Sequence, residues 1–323
     1  MDAMHPLLEA VPNVSAGRDV VLVDGLVDAV RGGIDRGTRS DGSRAEVVDV
    51  HRDIDHDRSV ITVVGAGEAL VQGMYDLARA CTERLDIHAG HGVHPRIGAL
   101  DVLPIVALDE SERAAALLVV RRLGAAIGRQ LEVPVVRYGL DLDGAPVDGA
   151  GSTGEVRRGG PGPVAERIAG GELQLLGGPR RPHPTAGITM CGVRDVLVAF
   201  NVDLAVDDLD LARRIAGQVR ERGGSAQALP GVRALGLRLA SREVVQVSTN
   251  VERHAECGPA RVLELVAELA RDAGVEVASA ELVGLAPDSA LGPLRYACTK
   301  LGVPLRASAD PSLDAAVARV RGA

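Results

Sequence analysis

Tryptophan is absent from this chain, and phenylalanine occurs once, at Phe200, beside three tyrosines. Without rings to stack on bases, a platform for single-stranded nucleic acid is excluded. Lysine is nearly missing: Lys300 stands alone in an otherwise all-arginine cationic set, which points to coding-sequence base composition rather than function. Positive charge is in deficit, with 36 basic against 44 acidic side chains and a net charge of −8. A phosphate-tracking surface is therefore not expected, and nucleic acid is not an expected partner. The four cysteines, Cys81, Cys191, Cys257 and Cys298, show no C-x-x-C spacing. That excludes a zinc ribbon and a disulfide scaffold and fits a reducing cytosol. No apolar run approaches the roughly 18 residues of a membrane span. The opening MDAMHPLLEAVPN lacks the basic-then-apolar order of a secretory leader. A cytoplasmic protein away from the membrane is expected. The phosphate-cradling G-x-x-x-x-G-K-[ST] and the dinucleotide G-x-G-x-x-G between strand and helix are both missing.

What is present suits a soluble α/β protein: 323 residues, 46% hydrophobic and 25% charged, with Val, Leu, Ile and Ala to fill a core and 39 glycines. The length predicts two domains or two lobes sharing one site. Alternating or continuous β-branched runs predict strands at 47–50, 59–64, 133–138, 196–204, 232–239, 244–248 and 275–285. Helical spacing predicts helices at 68–85, 111–131, 208–222, 260–273 and 313–320. Two strand pairs separated by four to eight residues read as hairpins. The expected fold is thus α/β (α+β), two subdomains that each pack a mixed β-sheet with helices, rather than an all-parallel sheet. From Gly139 to Pro184 periodicity fades into a Gly/Pro/Arg-rich stretch, too long for an ordinary connection and expected as a linker or a ligand lid. Regular structure restarts with VLVAFNVDL, which places the boundary near Asp195 and gives subdomains 1–195 and 196–323. The sequence carries no evident internal repeat.

Five of the eight histidines fall between His51 and His94, in HRDIDHDRS (51–59) and HAGHGVHPR (88–96). Interleaved glycines and Pro95 oppose a helix in the second cluster, so His88, His91 and His94 are loop residues. His51, Asp53, Asp55, His56 and Asp57 offer metal-ligand chemistry, but the spacing is not H-E-x-x-H, and Arg52 and Arg58 add charge that disfavours a cation. No metal is expected. The alternative for residues 51–58 is a solvated, charged hairpin turn.

VPNVSAGR (11–18), DHDRSVITVVG (55–65), HGVHPRIGALDVLP (91–104), PHPTAGITMCGVRDVLVAFNVDL (182–204) and VQVSTN (245–250) together resemble the glutamate formiminotransferase family. The resemblance implies two α/β subdomains of related fold with a folate-holding cleft between them, in a homodimer. It implies transfer of the formimino group from N-formimino-L-glutamate to tetrahydrofolate, a step of histidine degradation and one-carbon metabolism. The family's catalytic acid/base histidine, in its H-P-R motif, corresponds to His94. Its folate-binding stretch corresponds to Gly178, Pro179, Arg180, Arg181, Pro182, His183, Pro184, Thr185, Ala186 and Gly187. Tetrahydrofolate is then a co-substrate, and no metal is required. Two departures stand out: Val93 where the family often has Glu, and Asp57 where it often has Asn. A folate- or metabolite-binding relative without catalysis, or of shifted substrate, is the alternative, and a metal hydrolase a third.

Because these substrates carry carboxylates, Arg58, Arg96 and Arg194 are candidate anchors, the guanidinium fork being shaped for bidentate pairing. Internal ion pairs with Asp101 or Asp195 compete with that role. Asp101 is a candidate to orient His94. Gln246, Ser248 and Asn250 alternate along one strand face, either lining the cleft or forming the solvated face of an edge strand. Asn13, Ser15 and Gly17 form a turn after the first strand, by simple turn chemistry or to bring backbone N–H groups to a ligand.

Overall fold

The computed structural model describes residues 6–89 and 96–322. The chain divides into two compact units, residues 1–195 with 317–323, and residues 196–316.

The first unit begins with β1 (Leu8–Ala10), β2 (Asn13–Val14), α1 (Val20–Asp41), β3 (Ala45–Asp53), β4 (Arg58–Gly65), α2 (Gly67–Arg84) and β5 (Leu100–Ala107). β1 and β2 are one strand interrupted at Val11-Pro12, and both lie between β4 and β5, antiparallel to each. The order β3–β4–β1/β2–β5 is a β–α–β–β–α–β unit in which the first strand sits beside the last. α3 (Arg113–Gln130), β6 (Val135–Gly139), α4 (Thr153–Val156), α5 (Pro161–Gly170), β7 (Leu175–Gly177) and β8 (Thr189–Arg194) follow. β8 and then β6 extend the sheet in parallel beyond β5, and β7 closes it antiparallel to β6.

One face of this sheet is covered by the apolar stripes of α1, α2 and α3: Leu8, Ala10, Ile61, Leu103 and Ile105 pack with Leu26, Val30, Leu70, Leu77 and Leu123. α1 and α2 run so close that a Cβ on Gly37 would stand 2.3 Å from the Glu68 carbonyl oxygen. The turn between α1 and β3 also starts α2, since Asp41 Oδ2 accepts from Glu68 N at 2.9 Å and Ser43 Oγ from Ala69 N at 3.0 Å. Those two bonds satisfy N–H groups a helix start leaves without partners.

The second unit contains β9 (Val198–Leu204), α6 (Leu209–Val219), β10 (Val232–Leu239), β11 (Val244–Val251), α7 (Pro259–Asp272), β12 (Val277–Val283), α8 (Asp288–Leu301) and β13 (Leu305–Arg306), with α9 (Leu313–Arg321) after it. Its sheet runs β10–β11–β9–β12–β13, antiparallel except for β12–β13. This too is β–α–β–β–α–β, followed by a helix and a parallel strand. The topology repeats although the sequence shows no repeat.

The α/β class with two mixed sheets stands as expected. The expected strands and helices each fall on an observed element, shifted by a few residues at their ends. Several elements were not anticipated: α1, β5, β8 and α8. Stretch 139–184 is not a linker, because it holds α4, α5 and β7 with a core of its own: Val147, Val156, Val164 and Ile168 pack on Val102, Val136, Tyr138 and Met190. Among the described residues no helix is long and apolar enough to cross a membrane.

Candidate functional site

His94, with His91, Val93 and Pro95, lies outside the described residues, but both flanks of that segment are fixed. On one side a single 3-10 turn, Ile87–Ala89, carries His88. Ile87 N donates to Thr185 O at 2.9 Å, and His88 Nε2 lies 3.1 Å from Pro184 O. On the other side Ile188 N donates to Ile97 O and Ala99 N to Ala186 O, both at 2.9 Å. Residues 184–188 therefore hold both ends of the histidine segment. Within them, the turn 183–187 closes on itself: His183 N donates to Gly187 O at 2.9 Å, and His183 Nδ1 accepts from Ala186 N at 3.0 Å. Of the ten residues 178–187, only Ala186 and Gly187 are buried, and Gly178, Arg180, Arg181, Pro182 and Pro184 are exposed.

The turn after β2 docks on the same place. Ser15 N donates to Ala99 O at 2.8 Å and Ser15 Oγ to Gly98 O at 2.7 Å. A Cβ on Gly17 would stand 2.3 Å from Asp53 O and 2.5 Å from Arg58 N, so only glycine lets this turn reach the β3–β4 hairpin. That hairpin is not a solvated, charged turn. Asp53, Asp55, His56 and Asp57 are all buried, and only Ile54 and Arg52 are exposed. Asp53 Oδ1 accepts from the backbone N–H of Asp55 and His56, each at 2.8 Å, which ties the turn from within. Asp57 adopts φ 44°, a left-handed conformation that Asp and Asn tolerate better than other residues. Its Oδ1 accepts from Gly17 N at 3.1 Å, and its Oδ2 lies 3.6 Å from Arg96 Nη1. The charge that distinguishes it from asparagine is thus met by Arg96.

Arg58 and Asp101 form the centre. Asn13 Oδ1 accepts from Arg58 Nε at 2.9 Å and Nη2 at 2.6 Å, while Arg58 Nη1 lies 3.3 Å from Asp101 Oδ2. Asp101 is fully buried, and its other oxygen accepts from Ile97 N at 2.8 Å. A second guanidinium, from Arg157, also bonds Asp101 Oδ2. Burial pushes the Arg58 guanidinium down to about 10, with Asp101 opposing that drop and Arg157 and Arg96 adding to it. Three arginines and two aspartates thus meet at one place, and guanidinium groups are shaped to pair with carboxylates. Arg194 stands apart on β8, with Nη1 donating to Asp195 O at 2.9 Å, while Asp195 pairs with Arg113.

The sequence reading missed Arg157, which sits just past α4 inside the supposed loop. A signal existed: Ser152-Thr-Gly-Glu155 is a helix-start pattern, and Ser152 Oγ does accept from Glu155 N at 3.3 Å.

In the second unit, β11 is flanked on both sides by β10 and β9, so the edge-strand reading is corrected. Its odd residues Val245, Val247 and Val251 enter the core, and Gln246, Ser248 and Asn250 take the other face. Gln246 is fully buried, with Nε2 donating to Asp203 Oδ1 at 2.9 Å, whereas Asn250 is exposed. Asp203 Oδ2 also meets Ser279 Oγ at 3.0 Å and Arg306 Nη2 at 2.7 Å. Glu281 accepts from Asn201 Nδ2 at 3.3 Å and lies 3.8 Å from Arg242 Nη2.

Residues 7–194 match the formiminotransferase domain, N-terminal subdomain, and residues 199–298 match the formiminotransferase domain. The chain is 32% identical over 288 residues to the glutamate formimidoyltransferase of Streptococcus pyogenes serotype M1, covering 89% of this chain and 91% of that one. It is 31% identical over 287 residues to that of Thermoplasma acidophilum, covering 88% and 89%. A formimidoyltransferase-cyclodeaminase of Sus scrofa is 33% identical over 296 residues, which are 89% of this chain and 51% of that protein. Sequence blocks from residues 13–17 to 184–188 thus meet at one end of the first unit's sheet in a chain whose two halves both match this domain, and the chain belongs to the formiminotransferase family.

Proposed function

We propose that the protein transfers the formimino group of N-formimino-L-glutamate to N5 of tetrahydrofolate, releasing L-glutamate and 5-formiminotetrahydrofolate. One observation carries the reading beyond family membership. Residues 184–188, within and beside the stretch taken as folate-binding, hydrogen-bond to both flanks of the segment that bears His94. Residues 1–195 then serve as the N-terminal and 196–323 as the C-terminal formiminotransferase subdomain.

In this reaction the N5 amine attacks the amidine carbon and loses a proton, and the departing glutamate nitrogen gains one as its bond to that carbon breaks. A group that exchanges protons near neutrality serves both steps, and His94 is assigned that role. The guanidinium groups of Arg58, Arg96 and Arg157 suit a substrate carboxylate, Arg194 is a further candidate contact, and Gln246 and Asn250 are the candidate contacts carried by the second unit. Asp101, bound to two guanidinium groups and to Ile97 N, holds the Arg58 side of the site and the chain leading into Arg96. Tetrahydrofolate enters as co-substrate, and no step calls for a metal. A homodimer in the cytoplasm accompanies the reading. The four cysteines, all free and buried, suit a reducing compartment; gel filtration and cell fractionation test both points.

Purified protein supplied with both substrates is expected to form 5-formiminotetrahydrofolate and glutamate in equal amounts. His94→Ala is expected to lower kcat by roughly 10²–10⁴-fold while the protein stays folded. Absence of turnover in the parent protein removes the function, and a His94→Ala variant at parental rate removes the assigned base. Binding of tetrahydrofolate without turnover favours the non-catalytic relative instead.

A further inference from the structure

Glu9 and Thr62 are buried polar side chains of the first unit's sheet that no described residue hydrogen-bonds. Strand alternation sends Leu8 and Ala10 into the core with α1 and α2, and Glu9 to the opposite face. There Glu9 stands in a row with its register partners Val64 on β4 and Val106 on β5, and with Arg194, the partner of Val106 on β8. Asn13 lies opposite Val60 in the same continuous register, which puts Asn13 and Arg58 on this face as well. Thr62, between Val60 and Val64, shares the face and is a diagonal neighbour of Glu9. Glu9 is 4% exposed and Thr62 is 0% exposed. The Glu9 carboxyl takes part in no hydrogen bond or ion pair among the described residues, and the Thr62 hydroxyl is buried without a partner. Such groups carry a desolvation cost that a native fold retains where something outside the chain offsets it.

We propose that Glu9, assisted by Thr62, receives the planar N–C–N donor edge of a substrate, two N–H groups on one carbon. This rests on the transferase reading, whose two substrates both present such an edge: the formimidoyl group of the donor, and the amino group and ring N–H of the pterin. A carboxylate is the natural acceptor for it, because its two oxygens take two parallel N–H bonds, as they do from a guanidinium. The hydroxyl of Thr62 adds one acceptor at the rim of the same edge. Four residues of extended chain separate Glu9 from Asn13, roughly 13 Å, so the edge is held at a distance from the arginine cluster that suits carboxylates. The other polar or charged side chains on this face are Arg194 on β8, Tyr138 on β6, Asp101 on β5 bound to Arg58, and Glu46, Asp49, His51 and Asp53 on β3, Glu46 being paired with Arg319. Burial raises the Glu9 carboxyl to about 7, and Arg194 opposes the rise, so a donor edge bound there draws the proton off.

The test is calorimetric titration of the full chain near pH 8 with tetrahydrofolate and with N-formimino-L-glutamate, each alone. Parent, Glu9→Gln and Thr62→Val proteins are compared, with circular dichroism as the check on folding. Glu9→Gln is expected to weaken one ligand by about ten-fold or more, and Thr62→Val the same ligand by a smaller factor, with the other ligand unchanged. Loss on formiminoglutamate assigns the formimidoyl group, and loss on tetrahydrofolate assigns the pterin edge. The parent's affinity for that ligand is expected to fall between about pH 8 and pH 6, and that of Glu9→Gln to stay level. Equal binding by Glu9→Gln, equal weakening of both ligands, or no binding by the parent overturns the proposal. Turnover by the parent, measured separately, decides the transferase reading.

Discussion

The two units share a strand order yet use it differently. In both, a β–α–β–β–α–β core places the first strand between the third and the last, and a further helix leads to a parallel strand beyond the last. In both, the sheet face away from the central helices carries a buried acid between two arginines: Asp101 between Arg58 and Arg157, and Asp203 between Arg306 and Arg242. The first unit adds what the second lacks, an excursion from Leu140 to Leu173 that covers part of this face and presents Arg157. The consequence is a difference in solvation. Arg58 and Arg157 are 15% and 13% exposed, against 39% and 27% for Arg306 and Arg242. A charge pair shut away from water is costly to break, whereas one open to solvent is replaced by water at small loss.

That contrast is broken or upheld first by removing each acid in turn. Asp101→Asn leaves two buried guanidinium groups without their counter-charge, and chemical denaturation is expected to show a loss of about 3–5 kcal/mol, with a matching fall in kcat/KM. Asp203→Asn leaves half-open arginines, and a loss of about 1–3 kcal/mol is expected. Equal losses from the two variants would mean that the excursion does nothing to the solvation of the first site.

A pH scan sharpens the same comparison. An unfolded glutamate ionises near 4.5, while Glu9 in the folded chain holds its proton to about 7. Its contribution is fully present below pH 4.5 and is lost as pH rises to 7, by an amount on the order of 3 kcal/mol. Glu9→Gln is therefore expected to match the parent's melting temperature in acid and to exceed it above neutrality. A parent and a Glu9→Gln variant that melt in parallel at every pH would show that Glu9 is hydrated.

Most of the fold was legible because alternation at residues 59–64 or 244–248 and helical spacing at 68–85 or 260–273 report one buried face each. What escaped did so for physical reasons. α1 has an apolar stripe, Val23, Leu26, Val27, Val30 and Ile34, but its Val residues and glycines weigh against a helix when read one by one. Gly33 and Gly37 are instead where the backbone of α2 comes against α1. β5 carries Pro104 and α8 carries Pro293, each a breaker by local chemistry that the tertiary structure accommodates. The site was legible as a set of blocks, since Arg58, Arg96, Asp101 and Asn13 were all singled out. Their mutual arrangement was not, because Arg58 reaches Asn13 across 45 positions and Arg157 reaches Asp101 across 56. Glu9 left only a lone acid in an apolar run, a pattern that carries no meaning until the sheet shows which face it takes.

Glycines in the two units' helices extend the comparison to packing. Gly37→Ala puts a methyl group into the backbone of α2 at a site where neither helix has room to yield. A loss of about 1–3 kcal/mol is expected on denaturation, against a helix-propensity gain of about 1 kcal/mol that does not offset it.

Gly217 in α6 offers the opposite case and the smallest effect. A Cβ there meets nothing within 4 Å, so alanine adds no clash and keeps the helical backbone. What changes is the unfolded chain, which has fewer conformations to lose when residue 217 carries a side chain. Gly217→Ala is expected to raise stability by about 0.4–1 kcal/mol, seen as a higher denaturation midpoint at unchanged slope. A destabilised Gly217→Ala would mean that α6 is packed as tightly as α1. The glycines would then serve the shared topology itself, rather than the close α1–α2 contact of the first unit.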